Sequence, residues 1–157
     1  MAEDLKIRRA HASDISQIMA LAGHAEGAAH WAEGQYEEIF AETTPFRLLL
    51  VIEDHSGLLG FLAARQVDTE WELENIAVAV RAQRRGLGAK LLDEFLGIAR
   101  KRGGRAIFLE VRESNHAARG LYRKLAFVES GRRPSYYGEP PEDAITYCHS
   151  LANSTDS

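Results

Sequence analysis

Glu74 to Lys90 is the stretch whose residue types and spacing suit chemistry. An apolar segment, Glu74-Asn75-Ile76-Ala77-Val78-Ala79-Val80, runs into Arg81-Ala82-Gln83-Arg84-Arg85-Gly86-Leu87-Gly88-Ala89-Lys90. A basic loop with two glycines therefore opens a helix-forming run. The chemistry this suits is anion binding. The N–H groups of a first helical turn have no backbone partner, and the helix dipole favours negative charge there. Glycine lets phosphate oxygens approach the backbone, and successive N–H groups form a concave nest. Arg81, Arg84 and Arg85 add positive charge at the rim. The expectation is a pyrophosphate held on the backbone amides of Arg84, Arg85, Gly86, Leu87, Gly88 and Ala89. A rival reading is dinucleotide binding, with Glu110 as the ribose-binding acid. It is disfavoured because Leu91 fills the third glycine position, the loop from Val80 to Gly86 is long and polar, and only one βαβ unit is visible.

Other reactive groups say less on their own. Glu110 closes a strand, where a lone carboxylate is usually solvated or salt-bridged. Tyr122 lies on an amphipathic helical face, where a tyrosine is usually core. Cys148 sits inside a strand with no basic neighbour in sequence, which describes an inert thiol better than a nucleophile. The six histidines show no HxxxH or HxH spacing, so no metal is expected.

The elements that must position these groups follow from periodicity. Leu5 to Arg9 alternates as a short strand. Ser13 or Asp14 caps a helix with Ile15, Ile18, Met19 and Ala22 on one face. His24 to His30 is small and irregular, and Trp31 to Ala41 is a second short helix broken by Thr43-Thr44-Pro45. Phe46 to Glu53, Leu58 to Val67 and Trp71 to Val80 are three strands of a meander. Leu87 to Arg102 is the strongest helix, with Leu87, Leu91, Phe95 and Ile98 on one face and Gly103-Gly104 at its end. Arg105 to Val111 is a strand. Ser114 or Asn115 caps a helix carrying Ala118, Leu121, Tyr122 and Leu125. Phe127 to Gly131 and Asp143 to Leu151 form a last antiparallel pair, joined by a proline-rich connection from Arg132 to Glu142. The order β-α-α-β-β-β-α-β-α-β-β describes an α/β (α+β) domain with a mixed, mostly antiparallel sheet.

Gln83-Arg84-Arg85-Gly86-Leu87-Gly88 resembles the (Arg/Gln)-x-x-Gly-x-(Gly/Ala) acyl-CoA loop of the GNAT acetyltransferases, and the order of elements is similar too. Leu109-Glu110-Val111-Arg112-x-Ser114-Asn115-x-Ala117-Ala118-x-x-Leu121-Tyr122-x-Lys124-Leu125-x-Phe127, then Arg132-Arg133-x-x-Tyr136-Tyr137 and Glu142-Asp143-Ala144, looks like the RimI type of that family. The resemblance covers the chain after Trp71 closely and the earlier part loosely. It implies a sheet with a bulge and a splay between the strands at Trp71–Val80 and Arg105–Val111, with flanking helices. It implies acetyl-CoA as cosubstrate, bound by the backbone of Ile76, Ala77 and Val78, the amides of residues 84–89, Asn115 and Tyr122. It implies Glu110 as general base, with Glu74 as the alternative, and Tyr122 as general acid. The acceptor implied is the α-amine of a protein N-terminus, as in RimI-type acetylation of a ribosomal-protein alanine. A small amine or a lysine is the alternative acceptor, and a non-catalytic acyl-CoA-binding module is the alternative of another class.

That assignment makes chemical sense. An amine attacks a thioester only when neutral, so a base at a strand end has a task. A strand N–H near Val78 suits the developing oxyanion, and a phenol suits the departing sulfur. Binding both substrates together supplies proximity without an acyl-enzyme. Tyr136 and Tyr137 are expected at the acceptor entrance, and Trp31 falls near the family's substrate-facing Pro-Trp. Ala29-His30 stand where that proline would be, and Ala126 replaces the glycine usual before Phe127.

Composition sets the frame. The chain has 157 residues, 45% hydrophobic and 27% charged, with 19 basic and 23 acidic side chains and a net charge of −4. This fits one domain over residues 1–151 with a short polar tail at 152–157. The acidic balance disfavours an electrostatic nucleic-acid binder. One cysteine excludes an internal disulfide, and the charged start and lack of a long apolar run give no sign of a signal peptide or membrane span. The expectation is a cytoplasmic protein, a monomer or weak homodimer.

Overall fold

The computed structural model describes residues 4–25, 28–41, 46–138 and 140–151. The expected break at Thr43-Thr44-Pro45 and the tail 152–157 lie outside these. Seven strands form one sheet: β1 (Lys6–Arg9), β2 (Phe46–Asp54), β3 (Gly57–Val67), β4 (Glu70–Val78), β5 (Ala106–Arg112), β6 (Val128–Gly138) and β7 (Pro141–Ser150). Their spatial order is β1-β2-β3-β4-β5-β7-β6. Only β4 and β5 run parallel, and between them lies the crossover helix α3 (Leu87–Lys101). Helices α1 (Ile15–His24) and α2 (Glu33–Glu37) precede the meander, and α4 (His116–Lys124) follows β5.

Two cores explain the sequence pattern. Strand β2 is a continuous apolar run because both its faces are covered. Leu48, Leu50 and Ile52 face the core under α3 and α4, while Leu49 and Val51 face the core under α1 and α2. Helix α3 buries Leu87, Leu91, Leu92, Phe95, Leu96 and Ala99, the stripe its period requires. Trp71 anchors this side: it is 1% exposed and packs edge-on against Phe95 at 5.4 Å between ring centroids. Gly104 is glycine for the same reason, since a Cβ there would stand 2.8 Å from the Trp71 ring.

The proline-rich connection from Arg132 to Glu142 is not a loop. Strand β6 continues through it to Gly138 and pairs with β7, with a register shift between Arg133 and Tyr137. Pro134 is tolerated because β6 is the edge of the sheet and needs no second ladder. A short 3-10 turn at Val80–Ala82 also interrupts the stretch read as a plain basic loop.

Asp14 does more than begin α1. Both its oxygens accept from the Arg8 guanidinium, at 2.9 and 3.1 Å, and Arg8 also meets Glu53 at 3.0 Å. The trio ties β1, α1 and β2 together. Hydrogen bonding to Arg8 holds the Asp14 carboxyl below the ordinary range, against the opposing effect of burial. A depressed carboxylate stabilises the fold above its unfolded pKa of about 4, and that stabilisation is lost as pH falls through the lower folded value. Asp14→Asn should therefore cost about 2 kcal/mol at pH 7. The difference from wild type should shrink below about pH 4. Urea titrations at both pH values check this; a difference that persists undiminished in acid would remove the ion pair as its cause.

Candidate active site

The site begins where two strands part. Strands β4 and β5 pair only at Glu70–Ala106, Trp71–Ile107 and Glu72–Phe108. Beyond Glu72 the two strands diverge, so Leu73 to Val78, which include Ile76, Ala77 and Val78, present one backbone edge to a gap instead of a ladder. The divergence coincides with a bulge. Ala63 is paired with Asn75 and Ala64 with Leu73, leaving Glu74 as the extra residue. The consequence is a change of face. Trp71 and Leu73 join the core under α3, whereas Ala77 joins the core under α1 and α2, and Ile76 and Val78 turn toward α3. The spacing Trp71, Leu73, Ile76, Val78 carries that shift in the sequence, though the alternating valines and alanines after it obscure the break.

At the end of β4 the chain builds an anion nest. Arg84 has φ 69° and Gly86 has φ 73°, with Arg85 between them outside the left-handed region. Alternation of left- and right-handed residues points successive N–H groups into one concavity. Gly86 is also the N-cap of α3, so the unpaired first-turn amides open onto the same place. A Cβ on Gly86 would meet nothing within 4 Å, which leaves room for a ligand; the glycine is required by its φ. Holding Arg84, a residue with a Cβ, at positive φ costs about 1–2 kcal/mol. Gly88 has a packing reason instead: its Cβ would stand 3.2 Å from Leu121 Cδ2, so α4 lies close against the start of α3. These residues fit a pyrophosphate. The arginines divide their work. Arg84 is exposed at the rim. Arg85 stands 4.0 Å from Asp54. Arg81, expected at the rim, instead donates to Ser56 Oγ at 3.1 Å and the Leu58 carbonyl at 3.3 Å, bracing the β2–β3 turn. Gln83 donates to the Val78 carbonyl at 3.3 Å and so ties the nest to β4.

The other face of the sheet carries the titratable groups. In β5, Ile107, Leu109 and Val111 are buried toward α3, so Glu110 projects to the opposite face. There it lines a cleft of about 330 Å³ with Glu70, Glu72, Phe108, Arg133 and Thr146. Arg133 Nε stands 2.5 Å from Glu110 Oε2; the arginine side chain is 60% exposed and that of Glu110 22%. The β6–β7 hairpin arranges its aromatics over this pair. Tyr136 and Tyr137 meet edge-on at 5.2 Å. Arg133 lies 5.2 Å from the Tyr136 ring and Arg112 4.1 Å from the Tyr137 ring. Burial, then Glu110, pushes the Tyr137 phenol up.

Tyr122 stands on the α3 side of β5 and β7, 5% exposed, its ring 5.7 Å from Phe127 and 6.0 Å from Tyr147. Burial, with a contribution from Tyr137, raises its phenol far above the usual range. Asn115 caps α4, its side chain accepting from the Ala118 N–H at 3.1 Å, so its amide oxygen is already used. Glu74 faces Arg47 at 3.0 Å and Arg65 at 3.9 Å. Burial raises its carboxyl, opposed by the two arginines. Trp31 leans on buried Tyr36 at 5.2 Å between centroids, on the connection between α1 and α2. Burial, then Glu70, raises the Cys148 thiol, which keeps it protonated. Neither the pairing of Arg133 with Glu110 nor that of Arg47 with Glu74 was signalled by spacing. Asn75 was findable as the polar residue that opens the apolar run Ile76 to Val80.

Comparison with known proteins agrees with this geometry. The family model described as "Acetyltransferase (GNAT) family" matches residues 15–127. The [Ribosomal protein bS18]-alanine N-acetyltransferase of Escherichia coli (strain K12) is 39% identical over 128 residues, covering 78% of this chain and 84% of that protein. The crystal structure of the ribosomal-protein-S18-alanine N-acetyltransferase from Escherichia coli superposes with a TM-score of 0.86 at 30% identity, over 96% of each chain. A Salmonella typhimurium protein solved with its cofactor acetyl-CoA shares the fold, at a TM-score of 0.81 and 20% identity over 96% of this chain and 95% of that one. No helix among the described residues is long and apolar enough to cross a membrane. Because the family model spans most of the chain and a 39% identical relative is covered over most of its length, this protein belongs to the GNAT acetyltransferase family and is an acetyl-CoA-dependent N-acetyltransferase.

Proposed function

We propose that the chain acetylates the α-amino group of a protein N-terminus, with a ribosomal-protein alanine as the best candidate acceptor. The observation that carries the reading is Glu110: a partly exposed carboxylate at the splay, facing an open cleft on the side away from α3. The relatives named for bS18 alanine acetylation support the choice of acceptor.

Acetyl-CoA supplies an activated acetyl group, which any neutral amine in the right place can take. The residues of this chain have four tasks. The amides of residues 84–89 hold the pyrophosphate, and the free edge of Ile76, Ala77 and Val78 aligns the pantetheine arm and offers an N–H to the developing oxyanion. Glu110 takes the proton of the entering amine, directly or through a water. An acceptor arriving as an ammonium replaces Arg133, whose exposed side chain returns to water at little cost. Tyr122 stays protonated. Its raised phenol serves the departing sulfur as a hydrogen-bond donor, not by full transfer, because a thiol is the stronger acid of the two.

The pKa of the acceptor favours α-amines. At pH 7 about a tenth of a free α-amine is neutral, against less than about a thousandth of a lysine. A peptide library varied at its first two positions, each peptide with one internal lysine, tests the reading by mass spectrometry. The expected product carries the acetyl group on the N-terminal amine, with alanine preferred first. Acetylation of the lysine alone would overturn it.

A further inference from the structure

Asn75 is a buried polar side chain to which the mechanism above gives no task. It is 6% exposed. Its side chain pairs with both backbone polar groups of one residue: the Ala29 N–H donates to Oδ1 at 3.1 Å, and Nδ2 donates to the Ala29 carbonyl at 3.1 Å. Only a primary amide presents a donor and an acceptor side by side in this way. A carboxylate accepts at both atoms, and a single hydroxyl cannot reach the N–H and the carbonyl of one residue together.

The bulge aims this amide. Glu74 is the extra residue of β4, so Glu74 and Asn75 project to the same face. Without it, Asn75 would point toward α3. With it, the amide points at the connection between α1 and α2. Among the described residues that connection is held otherwise by small side chains and by Trp31 packed on the core under α1 and α2. Its described backbone includes Ala25, Ala28 and Ala29, side chains that bury little area. The Ala28 N–H reaches the Ala25 carbonyl only at 3.4 Å. Among the described residues, the Asn75 pair is its hydrogen-bonded link to the sheet. Two residues further on stands Trp31, resting on Tyr36, which in turn meets Phe61 at 6.3 Å.

We propose that Asn75 is a positioning residue for the acceptor. Its amide fixes the α1–α2 connection, and Trp31 with it, against β4 where β4 leaves β5. It thereby sets the acceptor entrance while leaving the donor nest untouched. This rests on the reading that the amine enters on the α1–α2 face. The donor is held on the opposite side of β4, by the start of α3, so the two binding steps separate in a test.

The variants are Asn75→Asp, which turns an acceptor toward the Ala29 carbonyl, and Asn75→Ala, which removes both bonds. In each, KM for the acceptor peptide should rise about tenfold, the scale of two lost buried hydrogen bonds. The kcat should stay within about threefold, and the acetyl-CoA Kd by calorimetry within about twofold. Deuterium uptake at residues 28–32 should accelerate while α3 keeps its protection. In the wild-type protein the Ala29 amide should be among the slowest to exchange in the connection. Faster exchange with unchanged acceptor KM would overturn the proposal. So would loss of acetyl-CoA binding, which would mark a global role, or an unprotected Ala29 amide in wild type. The exchange and calorimetric readings do not depend on acceptor identity. A library that selects lysine would therefore correct the acceptor and leave this test standing, with KM measured for the lysine peptide.

Discussion

Glu110→Gln should lower kcat about 100- to 1,000-fold near neutral pH, the scale of a lost general base. The substitution keeps the size of the side chain and removes only the ability to take a proton. Its Arg133 partner loses a counter-charge, but that guanidinium is 60% exposed and is solvated without it. The melting temperature should therefore hold within a few degrees. The acetyl-CoA Kd should hold within about twofold, because Glu110 points to the face away from α3 and its nest. Stopped-flow or thiol-release kinetics with a saturating peptide measure the effect. An unchanged kcat would move the base elsewhere, and Glu74→Gln is the matching control. Glu74 is expected to be dispensable for the chemistry. Its Arg47 partner is 18% exposed and cannot withdraw into water as Arg133 can.

The second large effect is expected from Gly88→Asp, which should weaken acetyl-CoA binding at least about 100-fold. A carboxylate in the first turn of α3, its Cβ beside Leu121, would bring a negative charge close to the proposed pyrophosphate position. At about 5 Å and an effective dielectric near 20, the repulsion is about 3 kcal/mol. The same charge favours the fold, since an acid at a helix N-terminus gains a few tenths of a kcal/mol or more. Loss of binding without loss of stability is therefore the diagnostic result. Gly88→Ala separates charge from bulk. Its Cβ would meet the end of Leu121 at 3.2 Å, a flexible atom that can give way. Its Kd should stay within a few-fold of wild type, by calorimetry. Equal loss in both variants would make packing against α4, and not the anion site, the function of this glycine.

The parts of the fold that were legible are those where one period rules one element. Helix α3 was read almost to the residue, because its buried stripe is uninterrupted and Gly103-Gly104 ends it. Strands β2 and β5 were read for the same reason. The nest at Arg84 to Gly86 was legible as a place in the chain because strand, glycines and helix are contiguous, so no tertiary contact was needed to assemble it. The β6–β7 hairpin was misread: Pro134, Pro140 and Pro141 look like loop chemistry, and only the position of β6 at the sheet edge makes Pro134 compatible with a strand. Arg81 was misassigned because charge at a rim cannot be told from charge at a neighbouring turn until Ser56 and Leu58 are in place. The Arg133–Glu110 pair and the Asn75–Ala29 ring depend on contacts 23 and 46 positions apart, set by strand order and by the bulge.

Strand β6 has a neighbour on one side only, and every residue from Val128 to Tyr136 is exposed. Arg133 and Tyr136, on the proposed acceptor side, therefore change at a cost of about 0.5 kcal/mol or less. Trp71 or Phe95, beneath the donor side, would cost several. The molecule is thus tolerant of substitution on the side proposed to choose the amine and intolerant on the side proposed to hold the acetyl donor. Descendants of such a chain can drift among acceptors along one sheet edge while inheriting the donor half unchanged.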